Sequence, residues 1–170
     1  MSEVNQLVEI RAEEATQRGL PPVSIRLDAR AGSMTPRKFP ASDVYLKLNG
    51  PPGAPLLLII FDCRGSERDD AALIQSKFVP AWTKELELGG ADRAHVLGAE
   101  QPGVTFATGG GIARTAWFGF VIERGAARLL ITIGVGGRDN VAVPATEVVS
   151  NPAIRRVLDT LQIEARPRSP

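Results

Sequence analysis

Apolar residues along the chain keep changing their spacing, and each change marks an element. Val4, Leu7, Val8 and Ala15 recur at helical intervals with charges between them. That spacing predicts a short amphipathic helix over residues 3–18, closed by Gly19 and the two prolines behind it. Val8 and Ile10 also alternate, so an extended segment is the competing reading. Val23, Ile25, Leu27 and Ala29 then alternate with polar partners, as in a half-buried strand. "AGSMTPRKFPAS" reads as a loop. "DVYLKLNG" alternates again, with Val44, Leu46 and Leu48 on one face, and "GPPGAP" is a turn. "LLLIIFDC" is apolar without interruption, which predicts a strand covered on both faces.

A helix is expected next. Ser66 and Asp69 fit a capping box ahead of it. Ile74, Phe78, Trp82 and Leu86 fall four apart and share a stripe, with Pro80 set to kink or break the helix. "GGADRAHVLGAE" gives a turn and a strand over about 92–99. Two strand patterns joined by "ERGA" follow. Ile112, Ala116, Phe118, Phe120 and Ile122 line one face of the first, and Ala113, Thr115, Trp117 and Val121 line the other. The second carries Leu129, Ile131 and Ile133 opposite Leu130 and Thr132. Both faces of this hairpin are apolar, so each needs a cover. Asn151 and Pro152 cap and open a last helix over 152–161, with Ile154, Val157, Leu158 and Leu161 inward. The sum is an α+β fold, a three-layer α/β/α sandwich around a mostly antiparallel sheet. The expected organisation is an N-terminal helical segment at 1–20, one domain at 21–164 and a disordered polar tail at 165–170.

Composition narrows the function classes. The chain has 170 residues, 44% hydrophobic and 23% charged, which suits one globular domain. Twenty basic and 19 acidic residues are well mixed and leave a net charge of +1, without the basic footprint of a nucleic-acid binder. The charged N-terminus does not read as a signal peptide. The longest apolar run, "PLLLIIF", is far short of the roughly 20 residues that span a bilayer. A cytoplasmic protein without membrane insertion is expected. The lone Cys63 suits a reducing compartment and rules out an internal disulfide.

The candidate chemistry centres on "TFATGGGIARTAWFGF". Gly109, Gly110 and Gly111 resemble a phosphate cradle only superficially. A P-loop needs a lysine and a hydroxyl residue leading into a helix, whereas "IARTAWF" has strand character. The glycines read as a loop or bulge that shapes the sheet, and Gly134, Gly136 and Gly137 as a strand exit. Arg114 shares a face with apolar neighbours, either snorkelling outward or acting as a cation beside the loop. Trp117, with Trp82, Phe118 and Phe120, belongs to the core or lines an apolar groove. Cys63 would become nucleophilic if Arg64 or the following helix start lowered its pKa, and His95 is its one possible imidazole partner. Glu67, Asp69 and Asp70 complement a helix dipole. One histidine and one cysteine do not make a zinc ligand set, so no metal and no cofactor are expected.

The order of elements carries a resemblance. A tryptophan-bearing helix ("ALIQSKFVPAWTKEL") precedes a glycine-containing loop and a long hairpin ("IARTAWFGFVIERGAARLLITIGVG"). "NPAIRRVLDTLQIE" closes the chain, with "VLDTLQI" as a helix-to-strand phrase. Over residues 23–164 this resembles the PsbP-like, DcrB-like α/β/α sandwich superfamily. The resemblance implies non-enzymatic work, and some members, similar to Eag-type secretion chaperones, cradle apolar helices of other proteins. The implied function is a protein-binding accessory or chaperone-like module of a bacterial assembly or secretion pathway. Its expected partner is another protein, through an apolar helix, or a second copy of the chain. Gly109, Gly110, Gly111, Arg114 and Trp117 are the expected binding residues. The alternative is an enzyme or small-ligand protein in which Cys63, His95 and Arg114 converge.

Overall fold

The structure is a computed structural model that describes residues 7–10, 12–17, 23–28, 35–38, 44–48, 56–66, 69–81, 85–109, 114–136 and 147–165. In chain order the elements are β1 (Leu7–Ile10), α1 (Ala12–Gln17), β2 (Val23–Asp28), β3 (Thr35–Lys38), β4 (Val44–Leu48), β5 (Leu56–Asp62) and α2 (Asp70–Ala81). They continue with β6 (Leu86–Val96), β7 (Ala99–Thr108), β8 (Thr115–Arg124), β9 (Ala127–Gly136), α3 (Pro152–Thr160) and β10 (Gln162–Ala165). Every described strand pair is antiparallel. The chain is thus a mixed fold built on antiparallel sheet.

A seven-stranded sheet runs in the order β3-β4-β5-β9-β8-β7-β6, and a three-stranded sheet in the order β1-β2-β10. In the larger sheet β3, β4 and β5 form one meander. The chain then crosses by α2 to the far edge and returns as the meander β6 to β9, so that β9 pairs with β5. This closure explains the unbroken apolar run of β5. Leu56, Leu58 and Ile60 pack in one core cluster, and Leu57, Ile59 and Phe61 in another on the opposite face.

The two faces have different covers. On one, Leu73, Ile74 and Phe78 of α2 meet Phe61, Phe106, Trp117 and Leu130. The Phe78 ring stands edge-on to Phe106 at 4.9 Å and to Trp117 at 5.0 Å, a favoured arrangement of aromatic quadrupoles. On the other face, Ile154, Val157 and Leu158 of α3 share a cluster with Val23, Ile25 and Leu27 of β2, Ile163 of β10 and Ala15 of α1. A helix alone was expected there. The cover is a helix together with a second sheet, because β2, β10 and β1 pair with one another and not with the larger sheet.

Other expectations are corrected. The N-terminal segment is not one helix. Its first part is β1, paired with β2 from Leu7↔Asp28 to Ile10↔Ile25, and only α1 is helical. Val8 and Ile10 therefore followed the alternating reading. Asp69, not Ser66, caps α2, since its Oδ1 accepts from the Ala72 N–H at 2.8 Å. Leu86 opens β6 and does not extend the helical stripe, and α2 ends at Ala81, one residue after Pro80. Trp82 lies outside the described residues. The strand expected near 92–99 is longer, and it turns at Leu97 and Gly98 into β7, both residues having positive φ. Ala165, placed in the tail from sequence, pairs with Val23, while the rest of the tail lies outside the described residues.

Candidate functional site

Gly109 follows β7 with φ +74°, and its N–H donates to the Glu85 carbonyl at 3.1 Å. A glycine is suited to that backbone conformation, and the bond ties the loop to the start of β6. Gly110 and Gly111 lie outside the described residues. Arg114 stands just before β8, and its Nη2 is 3.0 Å from Glu87 Oε2 of β6. Trp117 has no exposed surface, and its Nε1 donates to Thr108 Oγ1 at 2.8 Å. The groove-lining role considered for Trp117 is thereby corrected: its ring fills the core beneath α2. In the second glycine set, Gly134 sits opposite Trp117, where a Cβ would come within 2.5 Å of the indole.

Cys63, His95 and Arg114 do not converge. Cys63 follows β5, His95 is on β6, and β9, β8 and β7 lie between those strands. Four ladder steps of about 4.8 Å separate the two by roughly 19 Å. Arg114 precedes Thr115, whose partner Gly136 lies at the Leu56 end of β5, the end opposite Cys63. The expectation of one pocket for the three is overturned by strand order. Arg64, expected to lower the thiol pKa, is held by Asp62 at 2.9 Å. Burial is the largest influence on Cys63 and pushes its thiol up, against the opposing pull of Lys77. Among the described residues no group of three or more His, Cys, Asp or Glu side chains is placed to hold a metal.

A different place draws polar groups together. The register of β7 with β8 runs from Thr108↔Thr115 to Val104↔Gly119 and stops there, although the strands continue to Ala99 and Arg124. Carried one pair further along the same backbone edge, it would set Pro102 opposite Val121. Proline has no N–H to donate, and so cannot extend that ladder. The Gln101 side chain bridges the two backbones instead, its Nε2 donating to the Val121 carbonyl at 3.4 Å and to the Pro102 carbonyl at 3.3 Å. One turn of the pleat on, Arg124 Nη1 donates to the Glu123 carbonyl at 2.9 Å. Since alternate residues of a strand direct their N–H and C=O to the same side, Val121 and Glu123 both present backbone polar groups toward the parted β7.

The parting opens a cleft of about 400 Å³ lined by Asp70, Gln101, Pro102, Val121, Ile122, Glu123, Arg124 and Arg128. Glu123 and Arg128 face each other at 3.5 Å, and an Arg128 Nη1 also donates to the Ser66 carbonyl. Asp70 opens α2 at the rim. Burial raises its carboxyl pKa above the ordinary value of 3.8, and Arg128 only partly offsets this. Arg124 also lines a second cleft of about 350 Å³ with Leu97, Asp159 and Glu164. Apolar spacing does not mark this region as a site. Its available signal was Pro102 inside a strand that is otherwise paired.

No protein-family model matches the sequence, and no curated protein does at a significant level. Among solved structures, the chain is similar to LpqN of Mycobacterium tuberculosis, described as involved in cell envelope biogenesis. Identity there is 15%, with 95% of this chain and 92% of that one covered and a TM-score of 0.46. It is also similar to PA94 of Pseudomonas aeruginosa, a protein of unknown function, at 17% identity over 72% of this chain and 91% of that one, with a TM-score of 0.39. Both are weak, fold-level likenesses. Among the described residues no helix is long and apolar enough to cross a membrane.

Proposed function

We propose that this protein is a non-enzymatic, protein-binding accessory or chaperone-like module of a bacterial assembly or secretion pathway, acting in the cytoplasm. One observation supports the reading above the others. Strand β8 offers backbone hydrogen-bonding groups toward a cleft where its ladder with β7 has stopped, and side chains of Gln101 and Arg124 bond the Val121 and Glu123 carbonyls there. Backbone groups outside a ladder are one means by which one protein engages another. In this reading the expected helix-cradling groove beside the glycine loop gives way to the cleft at Pro102.

The test is photo-cross-linking in the native host, with a photoreactive residue at exposed Glu123 in the cleft and, as a control, at exposed Gln75 on α2. A discrete cross-linked protein from position 123, absent from position 75, is the expected result. A cross-link between two copies of the chain would make the partner a second copy. No cross-link specific to position 123 would end the protein-binding reading.

A further inference from the structure

We infer that the outer edge of β6 docks an extended peptide segment of another protein, with an acidic side chain of that segment opposite Arg93. This edge lies apart from the cleft at Pro102 and does not rest on it. In the larger sheet β6 is the last strand and, among the described residues, pairs only with β7. Three observations fix which of its backbone groups point outward. Val96 and Ala99 flank the two-residue turn of Leu97 and Gly98, so the polar groups of Val96 face β7. Gly90 faces β7 as well, since Thr105 Oγ1 bonds both its N–H and its carbonyl. Alternate residues direct their backbone groups to the same side, so Ala91, Arg93 and His95 turn theirs outward. The Arg93 N–H agrees: it donates to Asp92 Oδ1 of its own strand at 2.8 Å. All three residues are exposed. The bulge at Gly89 and Gly90 precedes them, and from Ala91 to Val96 the register with β7 is unbroken. Residues 91–95 span about 17 Å, and an edge already held in strand conformation spares part of the ordering cost of binding.

Charge selects the occupant. The side chains of Ala91, Arg93 and His95 share the face toward α2, while Ala94 and Val96 are buried on the opposite face. His95 lies 3.9 Å from Glu100 across the hairpin. Arg93 has no carboxylate partner among the described residues. Side chains directly opposite on paired strands meet on one face, where opposite charges stabilise the pair and like charges oppose it. A second copy of the chain fits this edge badly. Two identical antiparallel strands related by a two-fold axis set one residue against itself. On this stretch the axis falls at Asp92, Arg93 or Ala94. The first two bring like charges together, and the third sets Arg93 opposite His95 of the copy, which gives it no anion. An acidic residue of a different chain meets the Arg93 guanidinium with a charge-assisted bond. Asp92 guards the empty edge: it holds the outward N–H of Arg93 and releases it when a peptide carbonyl takes its place.

The experiment titrates the full chain, labelled with nitrogen-15, with an acetylated and amidated heptapeptide of sequence STVEVTS. Paired antiparallel with its central glutamate opposite Arg93, it sets its threonines opposite Ala91 and His95 and its valines opposite Asp92 and Ala94. Three further peptides carry lysine in place of glutamate, an N-methyl group on the amide of the fourth residue, or one on the amide of the fifth. The fourth amide faces β6 in this register and the fifth faces solvent. The expected result is saturable movement of the Ala91, Arg93 and His95 amide signals, with those of Val121 and Glu123 unmoved. Binding is expected to be at least about tenfold weaker for the lysine peptide and for N-methylation at the fourth residue, one tenfold step being about 1.4 kcal/mol. N-methylation at the fifth residue should leave binding as it is in the parent peptide. Arg93→Gln should erase the preference for glutamate over lysine, and Arg93→Glu should reverse it, both with the melting temperature of the parent protein.

Equal effects of the two N-methyl groups, shifts confined to other parts of the molecule, or no shift at millimolar peptide would each overturn strand addition at β6. An unchanged glutamate preference in the folded Arg93→Gln variant would overturn the part given to Arg93. Broadening of the three amide signals with rising protein concentration and no peptide, matched by a dimer mass in sedimentation, would make a second copy the occupant and overturn the inference. The cleft at Pro102 is tested apart. A cross-link at position 123 without peptide binding removes the β6 edge alone. Peptide binding at β6 without a cross-link at position 123 leaves the edge and removes the function argued from the cleft.

Discussion

Gly134 and Trp117 face each other across the ladder of β8 and β9, and the indole lies where a side chain on residue 134 would stand. At Gly103 a Cβ would come within 2.5 Å of the Gly119 carbonyl oxygen and 2.6 Å of the Phe118 ring. These two glycines thus make room for a neighbouring ring or backbone. Gly134→Ala is expected to destabilise the fold by about 1–3 kcal/mol through overpacking, read as a lower denaturant midpoint with an unchanged slope. Asp70 gives a pH prediction. Its folded pKa is raised, so the folded state holds this proton more tightly than the unfolded chain does. The group's contribution to stability is full below the ordinary aspartate value of 3.8 and is lost as pH rises through the folded pKa. Carboxyl-carbon NMR of Asp70 should show a midpoint above 3.8; a midpoint at or below it would contradict the burial argument.

At the scale of elements, end residues decide more than propensities. The Asn151 side chain accepts from the N–H groups of Ala153 and Ile154 at 3.0 and 3.3 Å, and Pro152 occupies the first turn. Asn151→Ala should cost about 1 kcal/mol, visible as a lowered melting temperature, while Asn151→Ser should recover most of it. This helix was legible from sequence because cap, proline and apolar stripe agree. The hairpin of β6 and β7 was not. Its turn is Leu97 and Gly98, and leucine at φ +55° is an uncommon turn residue. The double glycine at 89 and 90 had looked like a turn. It is a bulge inside β6, where the register shifts between Leu88 and Ala91 and Thr105 Oγ1 bonds both the N–H and the carbonyl of Gly90.

For the whole molecule, the crossover by α2 places β5, β9 and β8 in the middle of the larger sheet, with apolar cover on both faces. Their amides should exchange slowest with solvent, at rates that report global unfolding. The amides of Val121 and Glu123 should be the exception. They belong to a central strand but face the parted β7, and native-state exchange should find them faster than the amides of Phe120 and Ile122. Equal protection across residues 120–123 would mean that the cleft is closed in solution.

Local periodicities, and hence most elements, follow from the spacing of apolar residues along the chain. The unbroken apolar run of β5, the doubly apolar hairpin of β8 and β9, the capped α3 and the mostly antiparallel class were all readable, because they rest on spacing and on end residues. What covers each face depends on how distant segments pack together. No periodicity says that β1, β2 and β10 pair into a separate sheet, since their partners come from both ends of the chain. The candidate sites followed the same division. Cys63, His95 and Arg114 have suitable chemistry, but strand order holds them apart, and Trp117 has a polar tip that the core satisfies through Thr108. The cleft at Pro102 exists because two strands that pair over part of their length separate beyond it. Pairing is a relation between distant residues, and a single missing N–H acquires a consequence only once its would-be partner, Val121, is known.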